Sequence, residues 1–151
     1  MHSTLLLLHL AGVVVWIGGM FFAHFCLRPV AAAQLQPPQR LPLLAGVLGR
    51  FFAAVSAAIV AILLSGFALL HSAGTGQAPW HWHLMMAIGL VMTVIFAVIR
   101  YVHYRALSEA VEASDWPTGG AAMNRIRQLV LINLCLGALT VAVAKLGNLL
   151  A

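Results

Sequence analysis

Residues 5–27 read LLLLHLAGVVVWIGGMFFAHFCL, and this stretch decides the fold. It stays apolar for more than the ~20 residues a helix needs to cross a bilayer, yet it carries His9, Trp16, His24 and the pair Gly18-Gly19. At 3.6 residues per turn His9 and Trp16 fall two turns apart on nearly one line, and Met20 continues that line. An imidazole in hydrocarbon is costly unless something receives it, so His9 marks a candidate functional site.

The rest of the chain repeats the pattern. Of 151 residues 63% are hydrophobic and 7% charged, far below the quarter of charged residues usual in soluble domains. Several apolar runs of span length make it an all-α integral membrane protein, a single-domain up-down bundle of four transmembrane helices expected at about 4–27, 50–71, 82–104 and 117–150. The leading Leu run has no Lys or Arg before it and is too long for the core of a signal peptide, so it is expected to stay as a helix. Arg28-Pro29 should end the first span, because proline disfavours the helical region for its predecessor. The connection after it carries Pro37-Pro38 and Pro42, with a short interfacial helix over Leu41 to Leu48. Ala54, Ala58, Ala61, Ser65 and Ala68 form a small-residue stripe on the second span, and Asn133, Gly137, Thr140 and Ala144 form one on the fourth; both suit close helix packing. Between spans two and three lies a Gly/Pro loop, Ser72 to Pro79. Trp80 and Trp82 open the third span as interface anchors, and Asp115-Trp116-Pro117 reads as an N-cap followed by a first-turn proline.

Charge supplies the topology. Seven of the eight basic residues (Arg28, Arg40, Arg50, Arg100, Arg105, Arg125 and Arg127) flank or fill the first and third loops, and the second loop has none. The positive-inside rule then makes those loops cytoplasmic and places both termini and the histidine-bearing loop outside, N-out and C-out. A basic balance spread over such loops gives no reason to expect a nucleic-acid partner; the lipid bilayer is the partner. Cys26 and Cys135 lack metal-type spacing and read as small buried hydrophobes. Glu109, Glu112 and Asp115 share one loop, with no hydrolase or phosphate-loop motif anywhere, so no catalytic residue is assigned; an enzyme, if this is one, would be a haem-dependent membrane oxidoreductase.

With that orientation His9, His71, His81, His83 and Lys145 gather in the outer leaflet, and His24 and His103 lie at the inner end among arginines. Two histidines from different helices at similar depth can hold a haem iron from both faces. Imidazoles with methionine equally suit copper, and Met85 and Met86 follow His83, while Met20 is too deep to join them. Lys145 can snorkel outwards or meet an anionic group such as a haem propionate. His71, His81, His103 and His2 read as boundary residues facing solvent or headgroups.

Read in order, the pattern His9-x6-Trp16-Ile17-Gly18-Gly19-Met20, Leu27-Arg28-Pro29, Pro37-Pro38-Gln39-Arg40, Arg50-Phe51-Phe52, Ser65-Gly66, His83-Leu84-Met85, Asp115-Trp116-Pro117 and Ile126-Arg127 through Asn133 resembles the CopD-type membrane proteins, in particular their short stand-alone four-helix bacterial members. The resemblance implies an inner-membrane protein associated with copper handling, with histidines of the first and third spans, here His9 and His83, as metal or haem ligands. A weaker resemblance is to the HemJ-type protoporphyrinogen oxidases, four-helix proteins that bind haem b and open with a similar His-x6-Trp pattern. Met85 stands where their third helix has a lysine, and their Arg-x-x-Asn-Glu signature is missing.

Two expectations follow, beside the alternative of a HemJ-like protoporphyrinogen oxidase that the weaker resemblance implies. The first is a haem b protein with His9 and His83 as axial ligands and Trp16 and Lys145 beside the cofactor, active in membrane redox chemistry with quinone or a periplasmic redox or copper protein. The second is a copper-binding or copper-transport protein using His9, His83, His71 and Met85 without haem. A homodimer is compatible with either.

Overall fold

The computed structural model describes residues 2–74 and 78–150, with side chains up to residue 147. Four helices account for nearly all of them: α1 (His2–Gln34), α2 (Pro37–Ser72), α3 (Trp80–Glu112) and α4 (Trp116–Leu150), each long and apolar enough to cross a membrane. Residues 75–77 of the expected Ser72–Pro79 loop lie outside the described part.

The helix ends differ from expectation at the arginine-bearing end. α1 does not stop at Arg28-Pro29 but continues to Gln34. The reason lies in the wide π-type turn Phe22–Leu27, which ends with the Arg28 N–H donating to the Ala23 carbonyl, five residues back. Pro29 has no N–H to give, and its ring would strike a carbonyl one turn earlier in a regular helix; the extra residue in the wide turn moves that carbonyl aside. α2 likewise starts at Pro37, not Arg50. Pro37 and Pro38 occupy first-turn positions where a missing N–H costs nothing, so the expected interfacial helix is simply the opening of α2. The α1–α2 connection shrinks to Leu35 and Gln36.

At the far side of the same end, α3 closes with a Schellman turn. The Asp115 N–H reaches the Ala110 carbonyl at 2.8 Å and the Ser114 N–H reaches that of Val111 at 3.1 Å, with Ser114 in the left-handed region at φ 56°. Asp115 then caps α4, its carboxylate accepting from the Thr118 N–H at 3.1 Å, as its sequence position implied.

Close contacts fix the antiparallel order. A Cβ on Gly12 would lie 3.1 Å from the Ala58 carbonyl oxygen and one on Gly19 would strike the Phe51 ring, so α1 lies tightly along α2. Gly137 meets Met92 and Gly147 meets His81 in the same way along α3 and α4. Lipid offers apolar side chains no less than a neighbouring helix does, so such small-residue contacts, with their dispersion gain, hold the helices together. Between the two pairs, Tyr104 donates to the Ala45 carbonyl at 3.2 Å, and Gly137 also touches Ile17.

The core is not evenly spread along the bundle. Trp16, Phe96, Phe52 and Tyr104 form a chain of edge-to-face rings, with centroids 6.3, 5.7 and 5.3 Å apart. Around it, Met20, Val55, Ile99, Leu107 and Ile126 are buried. All of these sit in the central and arginine-bearing parts. Toward the histidine end, His2–Val13 packs mainly on α2, while Trp80–Val98 packs mainly on α4. The helix pairs α1/α2 and α3/α4 therefore face each other across a seam in that half.

Candidate metal site between the helix pairs

His9 stands on this seam, half-buried, with its ring turned to α2. Its Nδ1 lies 3.1 Å from the Ile62 carbonyl oxygen and 3.1 Å from Ser65 Oγ. The Ser65 hydroxyl is itself turned to the Ala61 and Ile62 carbonyls, one turn back on α2. A carbonyl can only accept, so Nδ1 must carry the proton, which leaves Nε2 as a free lone pair. Metal-binding histidines are held in the same manner, the second ring nitrogen donating to a carbonyl or carboxylate. Ser65, 1% exposed, owes its place to the small-residue stripe of α2; the stripe thus receives the imidazole as well as a neighbouring backbone.

Gly66 completes the cradle. A Cβ built there would lie 3.3 Å from His9 Cε1, 3.6 Å from His9 Nδ1 and 3.6 Å from Met86 Cε. The missing side chain lets an imidazole from α1 and a thioether from α3 approach one point beside α2. Here α2 and α3, one from each helix pair, approach each other in the histidine half. The methionine that reaches Gly66, beside the His9 ring, is Met86. Met85 lies four residues from His81 and shares that residue's face, toward α4.

His83 is exposed on the bundle surface, and His81 is the histidine that α3 buries. The two are two residues apart and cannot share a face, whereas His83 and Met86, three apart, are surface neighbours. His83 therefore stands one turn above Met86 on the same side of α3. His81, 1% exposed, packs against Gly147, and neither ring nitrogen has a partner among the described residues. The reading of His81 as a boundary residue facing solvent or headgroups is corrected here. The buried stripe His81, Met92, Phe96 and Ile99 recurs at helical spacing, so the phase of α3, counted back from its apolar core, was the signal that could have found it. Asn133 Oδ1 is a second buried atom without a partner among the described residues.

The remaining candidates stand apart from this point. Trp16 is buried against Phe96 two turns below His9 and forms a floor under the seam. His71 is exposed at the end of α2, and Lys145 is exposed on α4, two residues from the Gly147 that faces His81. His24 and His103 lie at the arginine-bearing end. No group of three or more His, Cys, Asp or Glu capable of holding a metal occurs among the described residues; with methionine admitted as a donor, His9 and Met86 are what the fold brings together.

Residues 45–146, about two thirds of the chain, match the family described as Copper resistance protein D, CopD. The chain belongs to the CopD family. Neither a curated protein nor a solved structure matches it. The CopD match includes Ser65, Gly66, His81, His83 and Met86 and begins after α1, so His9 rests on its geometry. A CopD chain with four membrane-length helices is a multi-pass membrane protein with a copper-related role.

Proposed function

We propose that this CopD-family protein binds copper(I) as its cargo at the seam, through His9 Nε2 and the Met86 thioether, with His83 one turn above as the entry or third ligand. The observation that carries the reading is the His9 Nδ1 bond to the Ile62 carbonyl, which orients the imidazole and leaves its other nitrogen free, while Met86 meets the same glycine, Gly66, as the His9 ring. Imidazole and thioether are the soft-to-borderline donors that suit copper(I). The arginine bias supports placing the seam toward the periplasm of an inner membrane, with both termini outside, where a periplasmic copper protein could deliver or collect the ion. Below it, the Trp16–Phe96–Phe52 ring chain fills the bundle. This favours binding and hand-over at the outer face over an open pore.

Haem b between His9 and His83 does not fit this arrangement. His9 Cε1 and Met86 Cε lie 3.3 and 3.6 Å from one point beside Gly66, so the Met86 side chain stands between α1 and α3 where a porphyrin would have to lie, and His83 is exposed. The purified protein is expected to be colourless, and a b-type absorption band lost in His9→Ala would restore the haem reading.

A copper(I) titration in detergent against a chromophoric chelator tests the site. One ion per chain is expected, with binding lost in His9→Ala and weakened about 10- to 100-fold in Met86→Leu, while Met85→Leu stays at the wild-type value. Equal affinity for Met86→Leu and the wild type would remove the site.

A further inference from the structure

The arginine-bearing end holds a second feature that copper does not use. Arg28 from α1, Arg40 from α2 and Arg127 from α4 are all half-buried, and Arg40 and Arg127 are both close enough to repel Arg28. Among the described residues no carboxylate forms an ion pair with them: Glu109 pairs with Arg105 at 2.8 Å, Asp115 caps α4, and Glu112 is exposed on α3. Like charges held together without a counter-charge destabilise a fold unless an anion joins them. Arg28 and Arg40, with Asn124, line a cavity of about 150 Å³. A smaller cavity of about 40 Å³ adjoins it, sharing Arg28, Leu44 and Met123 and bringing in Arg127. Apart from His24 its remaining walls, among them Leu48, Ile126 and Val130, are apolar.

We propose that this pocket binds the phosphate of an anionic phospholipid, the headgroup among Arg28, Arg40 and Arg127 and an acyl chain along the apolar cavity. An arginine fork matches phosphate oxygens, and basic pockets between transmembrane helices at the cytoplasmic side are a known setting for anionic headgroups. The apolar continuation selects an amphiphile over a free anion. Since the three arginines come from three helices, the lipid also ties α1 and α4 to the opening of α2, where only Leu35 and Gln36 connect α1 to α2.

The test uses the full chain in nanodiscs of mixed phosphatidylglycerol and phosphatidylcholine, with the lipid retained after detergent extraction counted by mass spectrometry. The wild type is expected to enrich phosphatidylglycerol, and Arg28→Gln or Arg127→Gln to lower that enrichment about fivefold, the weight of one arginine near an anionic lipid. Arg125→Gln removes the same charge from an exposed position on α4 and is expected to leave the enrichment intact; circular dichroism confirms that each variant folds. No enrichment in the wild type, or an equal loss in Arg125→Gln, overturns the proposal. So does equal thermal stabilisation by inorganic phosphate in pure phosphatidylcholine, which would assign the pocket to a soluble phosphate.

Discussion

Replacing Gly66 by alanine separates the metal site from the fold more cleanly than removing a ligand. The added methyl would stand 3.3 Å from His9 Cε1 and 3.6 Å from Met86 Cε, the space where the two donors converge. The first contact is tighter than ordinary packing, so something must give by a few tenths of an ångström. Met86 yields easily, being unbranched and flexible; His9 is held by its Ile62 bond. Crowding of this kind costs about 1 kcal/mol, and alanine gains about 1 kcal/mol over glycine within a helix. Net stability should therefore barely change. Copper(I) affinity should fall about 10- to 100-fold, as when the support of a metal ligand is disturbed. Gly89→Ala, on α3 with open space around it, is the matched control. Thermal unfolding and chelator competition on the same detergent preparations give both quantities. If Gly66→Ala folds and binds copper like the wild type, the convergence at Gly66 is not a metal site.

Other expectations concern the bundle itself. In the Gly18-Gly19 pair only Gly19 is sterically required: Gly19→Ala drives a methyl into the Phe51 ring and should destabilise by about 1–3 kcal/mol, whereas Gly18→Ala meets nothing and should be neutral or slightly stabilising by thermal unfolding. Phe52→Ala removes a ring that is 1% exposed and packed edge-to-face with Phe96 and Tyr104; a loss of about 3–5 kcal/mol in reversible denaturation is expected. The Asp115 carboxyl is held below the usual carboxylate range by its hydrogen bonds to Thr118. A depressed folded-state value means that its contribution is present at neutral pH and lost as pH falls through that value. Asp115→Ala should therefore melt below the wild type at pH 7, with the gap closing in acid; a constant gap would show that the cap acts without its charge.

Four spans, their order and the Asp115 cap were legible because apolar length and capping chemistry are local. The course of α1 past Pro29 was not, since a π-type turn absorbs the proline without any residue that announces it. α2 began earlier than its hydropathy suggested because two prolines that look like breakers sit where a helix start tolerates them. At the site, His9 was legible as a polar residue deep in hydrocarbon, and Ser65 only as part of a packing stripe. The choice between Met85 and Met86 depends on helical phase. Adjacent positions differ by about 100° around the axis, and the run from Trp80 to Met86 is apolar or amphipathic on every side. The phase is set lower down, at Met92, Phe96 and Ile99, where the core holds α3.

X-ray absorption at the copper edge of the copper(I)-loaded protein probes the proposed donors most directly. A nitrogen shell with imidazole scattering and one sulfur shell is expected, the sulfur vanishing in Met86→Leu and the imidazole weakening in His9→Ala. A spectrum with no sulfur, or one unchanged by Met86→Leu, would contradict the pairing of His9 with Met86 across the seam.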